Sequence, residues 1–206
     1  IAHGNSSIIA DKLALGAADY VVTEAGFGSD MGAEKFMHIK AANSGKSPDC
    51  VVMNVTVRSM KLHGGAFGDK ASRRPSKKEI EKEDVGAVTA GAETNLNRHI
   101  KNMLQFGMPV VVSVNRFASD TDAELEALTK CARNSGASSV CLTEVHAKGG
   151  AGGKELAKAV VSACQDHIAA GRPFTPLFNN DTPIEEKALR VATRIYGADG
   201  INILCL

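Results

Sequence analysis

The sequence predicts an α/β fold, a parallel sheet with helices on both faces, and three observations carry that reading. Runs of β-branched residues alternate with amphipathic helical stretches along the chain, the order that builds a parallel sheet under helices. Two of the runs, Val51-Val52-Met53 and Val110-Val111-Val112, are apolar at successive positions, as strands buried on both sides require. The helical stretches stop at glycines, and several start at capping residues, so most elements have legible limits.

Taken in order, Ser6 and Ser7 precede a first helix marked by Ile8, Ile9 and Leu13, and Tyr20–Thr23 reads as a strand. Cys50–Val57 reads as the next strand. The stretch Gly68–Asp84 holds six Lys+Arg and five Asp+Glu; it reads as a solvated, mobile insertion, with a partner- or anion-binding loop as the alternative. Leu96, Ile100, Met103 and Leu104 follow helical spacing up to Gly107, and Pro109–Asn115 is a strand. Thr121-Asp122-Ala123-Glu124 is a capping box leading Leu125, Leu128 and Ala132 to a stop at Gly136. Ser139–Thr143 is a strand, and Leu156, Val160, Cys164 and Ile168 form a helical stripe that ends at Gly171. Thr182-Pro183-Ile184-Glu185 reads as a second capping box opening a helix through Ile195 to Gly197, and Ile201–Cys205 is a weak closing strand.

Composition excludes several classes. A chain of 206 residues, 44% hydrophobic, is long enough to remove roughly 70% of its unfolded surface from water, and it is too apolar for disorder. A net charge of +1 supplies no global field toward nucleic acid or an anionic membrane, and no apolar run reaches the ~20 residues of a membrane span. Five cysteines without CxxC spacing read as small buried hydrophobes of a reducing compartment. The six histidines lack ligand spacing, so no metal site is expected.

Ligands of open α/β sheets bind outside the carboxyl ends of the strands. The loops expected there are Glu24–Asp30, the segment from Arg58 through Lys61-Leu62-His63-Gly64-Gly65, Asn115–Asp120, and Glu144–Gly153. A fifth segment, Ala2-His3-Gly4-Asn5-Ser6-Ser7, puts a histidine and hydroxyls before the first helix. Glycines let backbone approach a ligand, and their N–H groups can face an anion. Together these loops point to a pocket for a phosphate-bearing or acidic ligand, with Phe27 and Phe117 able to flank a flat ring. Two decoys fail. Gly45-Lys46-Ser47 has Lys40 where a phosphate loop needs its first glycine, and Gly153-Lys154 is followed by Glu155 instead of Ser or Thr. Asn115…Asp120 has neither the spacing nor the lysine of a guanine-binding motif.

At these loops the chain resembles the formate–tetrahydrofolate ligase (10-formyltetrahydrofolate synthetase) family. The matching stretches are Ile1–Asp11, Val21–Phe36 with its Thr-Glu-Ala-Gly-Phe-Gly, Thr56–Gly65 with its Met-Lys-Leu-His-Gly-Gly, Asn115–Thr121, Ala147–Gly150 and Ile195–Gly200. They run in order over essentially the whole chain. The resemblance implies a P-loop NTPase-like core whose phosphate loop lies N-terminal to Ile1, with further sequence after Leu206, so that residues 1–206 form a middle segment. Within it, 1–171 would be the α/β core and 172–206 the start of a following subregion. The implied activity joins formate to tetrahydrofolate at the expense of ATP through formyl phosphate. Implied with it are ATP with Mg as cofactor, a possible monovalent cation, small-molecule substrates, no nucleic-acid or membrane partner, a homo-oligomer, and a cytoplasmic or mitochondrial home.

By the family pattern Phe27 and Phe117 would sandwich the pterin, with Leu142 and His146 alongside and Gly28 and Gly32 beside the pocket. His3 would contact formyl phosphate. Arg58, Lys61 and His63 are catalytic candidates by charge and position alone, and Asn115 and Asp120 are nucleotide-facing candidates. There are two departures: His146 stands where the family usually has Trp, and Lys40-Ala41-Ala42-Asn43 replaces Lys-Cys-Arg-Tyr. They motivate the alternative of an inactive relative serving as a binding or structural module, against which the retained loops argue.

Overall fold

The computed structural model describes residues 5–68 and 75–204. In chain order the helices before the sheet are α1 (Ile8–Leu15) and the short α2 (Ala42–Ser44). Next come β1 (Val51–Val55), α3 (Val57–His63), α4 (Lys77–Glu81), α5 (Val85–Gly91) and α6 (Asn97–Leu104). They are followed by β2 (Val110–Asn115), α7 (Asp122–Asn134), β3 (Ser139–Thr143), α8 (Val145–Lys148), α9 (Lys154–Ala170) and α10 (Ile184–Arg190). Wider π-type turns occupy Ser29–Ala33, Phe36–Ala41, Ala92–Leu96 and Val191–Ile195. The chain divides into two compact units, one of residues 49–173 and one of 1–48 with 174–206.

The 49–173 unit holds a parallel sheet in the order β1-β2-β3. Val51 pairs with Val110 and Val55 with Val114, while Val111 pairs with Ser139 and Asn115 with Thr143. Val110–Val114 are buried at every position, so helices cover both faces of the central strand, as the successive valines predict. The core continues through Val88, Ala92, Leu96, Ile100 and Met103, at spacings of three and four along one helical run. That run packs on α3 so closely that a Cβ at Gly64 would lie 1.8 Å from the Ala87 carbonyl oxygen. The first glycine of the His-Gly-Gly motif is therefore a packing requirement.

Several caps were legible and others were not. Thr121 and Glu124 form the expected capping box on α7. Thr56 with Ser59 and Ser76 with Glu79 form two more, on α3 and α4. The last of these lies inside the charged stretch read as a mobile insertion: residues 75–84 contain a capped helix, and 69–74 lie outside the described residues. Along α9 the buried residues are Ala163 and His167, whereas Ile168 faces water; the helix rests on a narrower face than its apolar stripe suggests.

In the unit of 1–48 and 174–206, α1 starts at Ser7, whose hydroxyl accepts from the Ala10 N–H at 3.0 Å. Lys40 is buried against Asp11 at 2.6 Å and lies over the Phe36 ring, which ties α1 to the Phe36–Ala41 helix. Three expectations need correction here. Tyr20–Thr23 is not a strand: Val22 is almost fully exposed, and among the described residues the nearby backbone makes the isolated bridge between Asn5 and Ala25. A β-branched run becomes a strand only where a partner ladder and a packing face exist. Of the expected strand Ile201–Cys205, residues 201–204 show no strand pairing, and Cys205 lies outside the described residues. The second capping box does not form, because Thr182 Oγ1 donates to Asn179 Oδ1 at 2.9 Å in a local turn, leaving Pro183 as the cap.

Candidate functional site

Because β1, β2 and β3 are parallel neighbours, their carboxyl ends fall at one edge of the sheet. That edge gathers Arg58 in the first turn of α3, the Asn115–Asp120 loop after β2, and Leu142 with His146 at the end of β3. The second and third ends are joined by the Arg116 N–H donating to the Thr143 carbonyl at 3.0 Å. Leu142, Val145 and His146 are exposed there, giving an apolar rim with one imidazole. The loop expected after Tyr20–Thr23 belongs to the other unit and follows no strand.

The Asn115–Asp120 loop is built around its last residue. Asp120 is 6% exposed, and its Oδ2 accepts from the Phe117 N–H at 2.8 Å while its own N–H donates to the Phe117 carbonyl at 3.0 Å. Burial pushes the Asp120 carboxyl above its ordinary value, and the Phe117 amide and the Arg58 charge only partly counter it. Thus Asp120, read as nucleotide-facing, is turned inward and shapes the loop. Asn115 and Phe117 are half-buried at its mouth. The Arg58 guanidinium lies over the Phe117 ring, 3.9 Å from its centroid, and Nη2 donates to Ser119 Oγ at 3.4 Å.

Lys61 is one turn further along α3 and is sealed inside the unit. It is 1% exposed and pairs with Glu124, 0% exposed, at 2.6 Å. Its ammonium also donates to the carbonyls of Ile80 and Lys82 at 3.2 and 2.9 Å. Glu124 accepts from the N–H groups of Asp84 and Thr121 at 2.8 and 3.2 Å. Burial raises the Glu124 carboxyl, but Lys61 and the two amides outweigh it, and the net direction is downward. The pair clamps the segment after α4 to the start of α7, so Lys61 is engaged in structure. His63 is exposed at the far end of α3, about 7.5 Å along the axis from Arg58, in a shallow depression shared with Thr94, Asn95, Arg98 and His99.

In the other unit, Phe27 is 88% exposed and holds φ at +64°, the one described non-glycine residue with positive φ. A phenylalanine so placed incurs backbone strain and exposes its ring to water, and such outliers point toward function. Gly28 caps the π-type turn Ser29–Ala33, a rare geometry that collects at functional sites. Gly32 is packed against Gly26, where a Cβ would come 1.9 Å from the carbonyl oxygen; it is what lets the loop fold back and present Phe27. Tyr196, unremarked in the sequence beyond its motif, donates its hydroxyl to the Asp30 carbonyl at 3.3 Å. Beside it, burial pushes Glu34 upward, partly countered by the Tyr196 hydroxyl.

His3 lies outside the described residues. Sequence reasoning also missed Ser119 and the true role of Glu124, which was legible only as the fourth residue of a capping box. Among the described residues no group of three or more His, Cys, Asp or Glu could hold a metal ion, and no helix is long and apolar enough to cross a membrane. The described cysteines offer no nucleophile: Cys141 is buried, and burial, with Cys164 nearby, pushes Cys50 up to about 12.

Comparison with known proteins bears on what these loops serve. The family model described as formate–tetrahydrofolate ligase matches residues 1–205. The formate–tetrahydrofolate ligase of Desulforamulus reducens is 47% identical over 201 residues, covering 98% of this chain and 34% of that protein. Those of Symbiobacterium thermophilum and Paracoccus denitrificans are 45% and 43% identical, over 98% and 99% of this chain and 34% of each relative. The chain thus spans about a third of the length of the curated relatives it matches. A match that runs from the first residues nearly to the last, through the Phe27, Arg58, Phe117 and His146 segments alike, means that this chain belongs to the formate–tetrahydrofolate ligase family.

Proposed function

We propose that the protein carrying this chain joins formate to tetrahydrofolate with ATP, through formyl phosphate, and that this segment supplies folate-facing loops. The observation that carries the reading is the 43–47% identity to proteins named for this ligase over nearly all of the chain. In the first step a formate oxygen attacks the γ-phosphorus of ATP and ADP leaves. In the second the folate amine attacks the formyl carbon, phosphate leaves and the amine gives up its proton. The residues of this chain act by binding and by excluding water, which protects a hydrolysable acyl phosphate. Phe117 is proposed to face the pterin, and Phe27, in the other unit, is a separate candidate folate contact. Leu142 and His146 form an apolar rim beside Phe117, and Asn115 is a polar contact at the same strand end.

His3 and His63 remain candidate contacts to the phosphoryl intermediate, whereas Lys61 and Asp120 serve by holding the loops that carry the others. No step is assigned to Mg²⁺ or to a monovalent cation, because among the described residues no group of three or more His, Cys, Asp or Glu is gathered. The test is formation of 10-formyltetrahydrofolate by the intact protein, dependent on ATP, formate and tetrahydrofolate together. A folded, intact protein without that turnover would return the reading to the inactive-relative alternative.

A further inference from the structure

Arg58 was a candidate for phosphoryl chemistry because of its charge, yet its surroundings are those of a ring support. Its guanidinium carbon lies 3.9 Å from the Phe117 centroid, and its hydrogen bond from Nη2 to Ser119 Oγ runs back into the same loop. Its Nε is buried without a hydrogen-bond partner. A buried N–H left in that state is unfavourable, so the arginine is retained in this pose by what it does for the ring. Neighbouring Asp120 feels its charge, but that carboxylate is committed to the Phe117 N–H. Phe117 is therefore held twice: its backbone by Asp120 from β2's own loop, and its ring by Arg58 from the end of β1. Arginine suits this task because its plane stacks on an aromatic face and is weakly hydrated.

We infer that Arg58 is a positioning residue for the flat substrate: it stacks on one face of Phe117 and holds the half-buried ring with its remaining face available. The cation also draws π density toward itself, which makes the opposite face less negative and a better partner for an electron-rich heterocycle. The inference rests on the folate-facing role proposed for Phe117, and it assigns Arg58 to substrate affinity instead of phosphoryl transfer.

The test compares Arg58→Met, Arg58→Lys, Phe117→Ala and the Arg58→Met/Phe117→Ala double variant in the intact enzyme, with KM for tetrahydrofolate and for ATP, and kcat, as readouts. Arg58→Met keeps the length of the stem and removes the planar cation; Arg58→Lys keeps the charge and removes the plane. Both are expected to raise the tetrahydrofolate KM about tenfold, with ATP KM within about twofold and kcat within about threefold. The double variant should match Phe117→Ala alone, because the two side chains act as one unit. If Phe117→Ala leaves the tetrahydrofolate KM unchanged, the folate reading of Phe117 fails. If Phe117→Ala raises it while both Arg58 variants stay at the wild-type value, the positioning role fails and the folate reading stands. A fall in kcat with a shifted ATP KM, rescued by lysine, would also overturn positioning and return Arg58 to the phosphoryl group.

Discussion

Phe27 separates the requirements of folding from those of binding at a single residue. A left-handed conformation costs a side-chain-bearing residue roughly 1–2 kcal/mol, and Phe27 gains little in return from a ring that is 88% exposed. Phe27→Gly removes that strain while giving back part of it as glycine's larger entropy of ordering, about 0.5–1 kcal/mol. The expected outcome is an unfolding midpoint in urea equal to or above that of the wild type. Phe27→Ala keeps the strain and should be the less stable of the two. Both remove the ring proposed to stack on folate, so on that proposal each should weaken tetrahydrofolate by about 2 kcal/mol, roughly thirtyfold, and ATP by far less. Titration of the intact enzyme with each ligand checks the split, and equal losses for both ligands would remove Phe27 from the folate site. His146, exposed on α8 beside Leu142 and Val145, allows a test in the gaining direction within the 49–173 unit. His146→Trp enlarges the apolar rim and should lower the tetrahydrofolate dissociation constant several-fold; an unchanged constant would mean that residue 146 faces elsewhere.

Between elements, the Lys61–Glu124 pair sets which segments move together. Lys61→Met leaves a fully buried carboxylate with two amide donors and no counter-charge, so a loss of about 3–5 kcal/mol is expected, read from urea denaturation. The end of α4 and the residues just after it should lose amide protection first, since Lys61 holds the carbonyls of Ile80 and Lys82. Gly64→Ala should destabilise through a different cause: its Cβ would meet the Ala87 carbonyl, and α3 and α5 would have to separate. These contacts explain what the sequence could and could not tell. Successive valines and glycine stops made the sheet legible, because burial on both faces leaves a pattern in one dimension. Lys61 and His63 looked alike as cations in one motif; the difference between them is which face of α3 each occupies and what lies across from it, and Glu124 is far away in the chain. Tyr20–Thr23 had the residues of a strand without a ladder to join, which no local pattern reveals. Phe27 and Phe117 stood out in the sequence as candidate ring partners, but the strain at one and the arginine over the other exist only in three dimensions.

At the scale of the molecule, stability against pH sums groups that pull in opposite directions. Burial lowers His38 below 6.5, so the unfolded chain takes up its proton first and stability is lost as pH falls through that range. Glu124 is held below 4.5, and its contribution is present above 4.5 and lost on further acidification. Asp120 has the other sign: burial raises it above 3.8, so the ionised carboxylate is a cost at neutrality. The folded protein takes up that proton before the unfolded chain does, and stability is regained as pH falls through the raised value. A single acid-denaturation curve therefore hides several opposing slopes, and only a difference between variants isolates one. Asp120→Asn keeps an oxygen to accept from the Phe117 N–H and removes the ionisation. Relative to wild type it should be more stable at neutrality, with the advantage shrinking through the raised pKa and gone below about pH 3.8. Urea midpoints of the two proteins from neutrality down to about pH 3.5 give that difference directly. An advantage that persisted unchanged at the acid end would mean that the substituted amide gains by packing or hydrogen bonding, and that the buried charge of Asp120 is not what the loop after β2 must overcome to present Phe117.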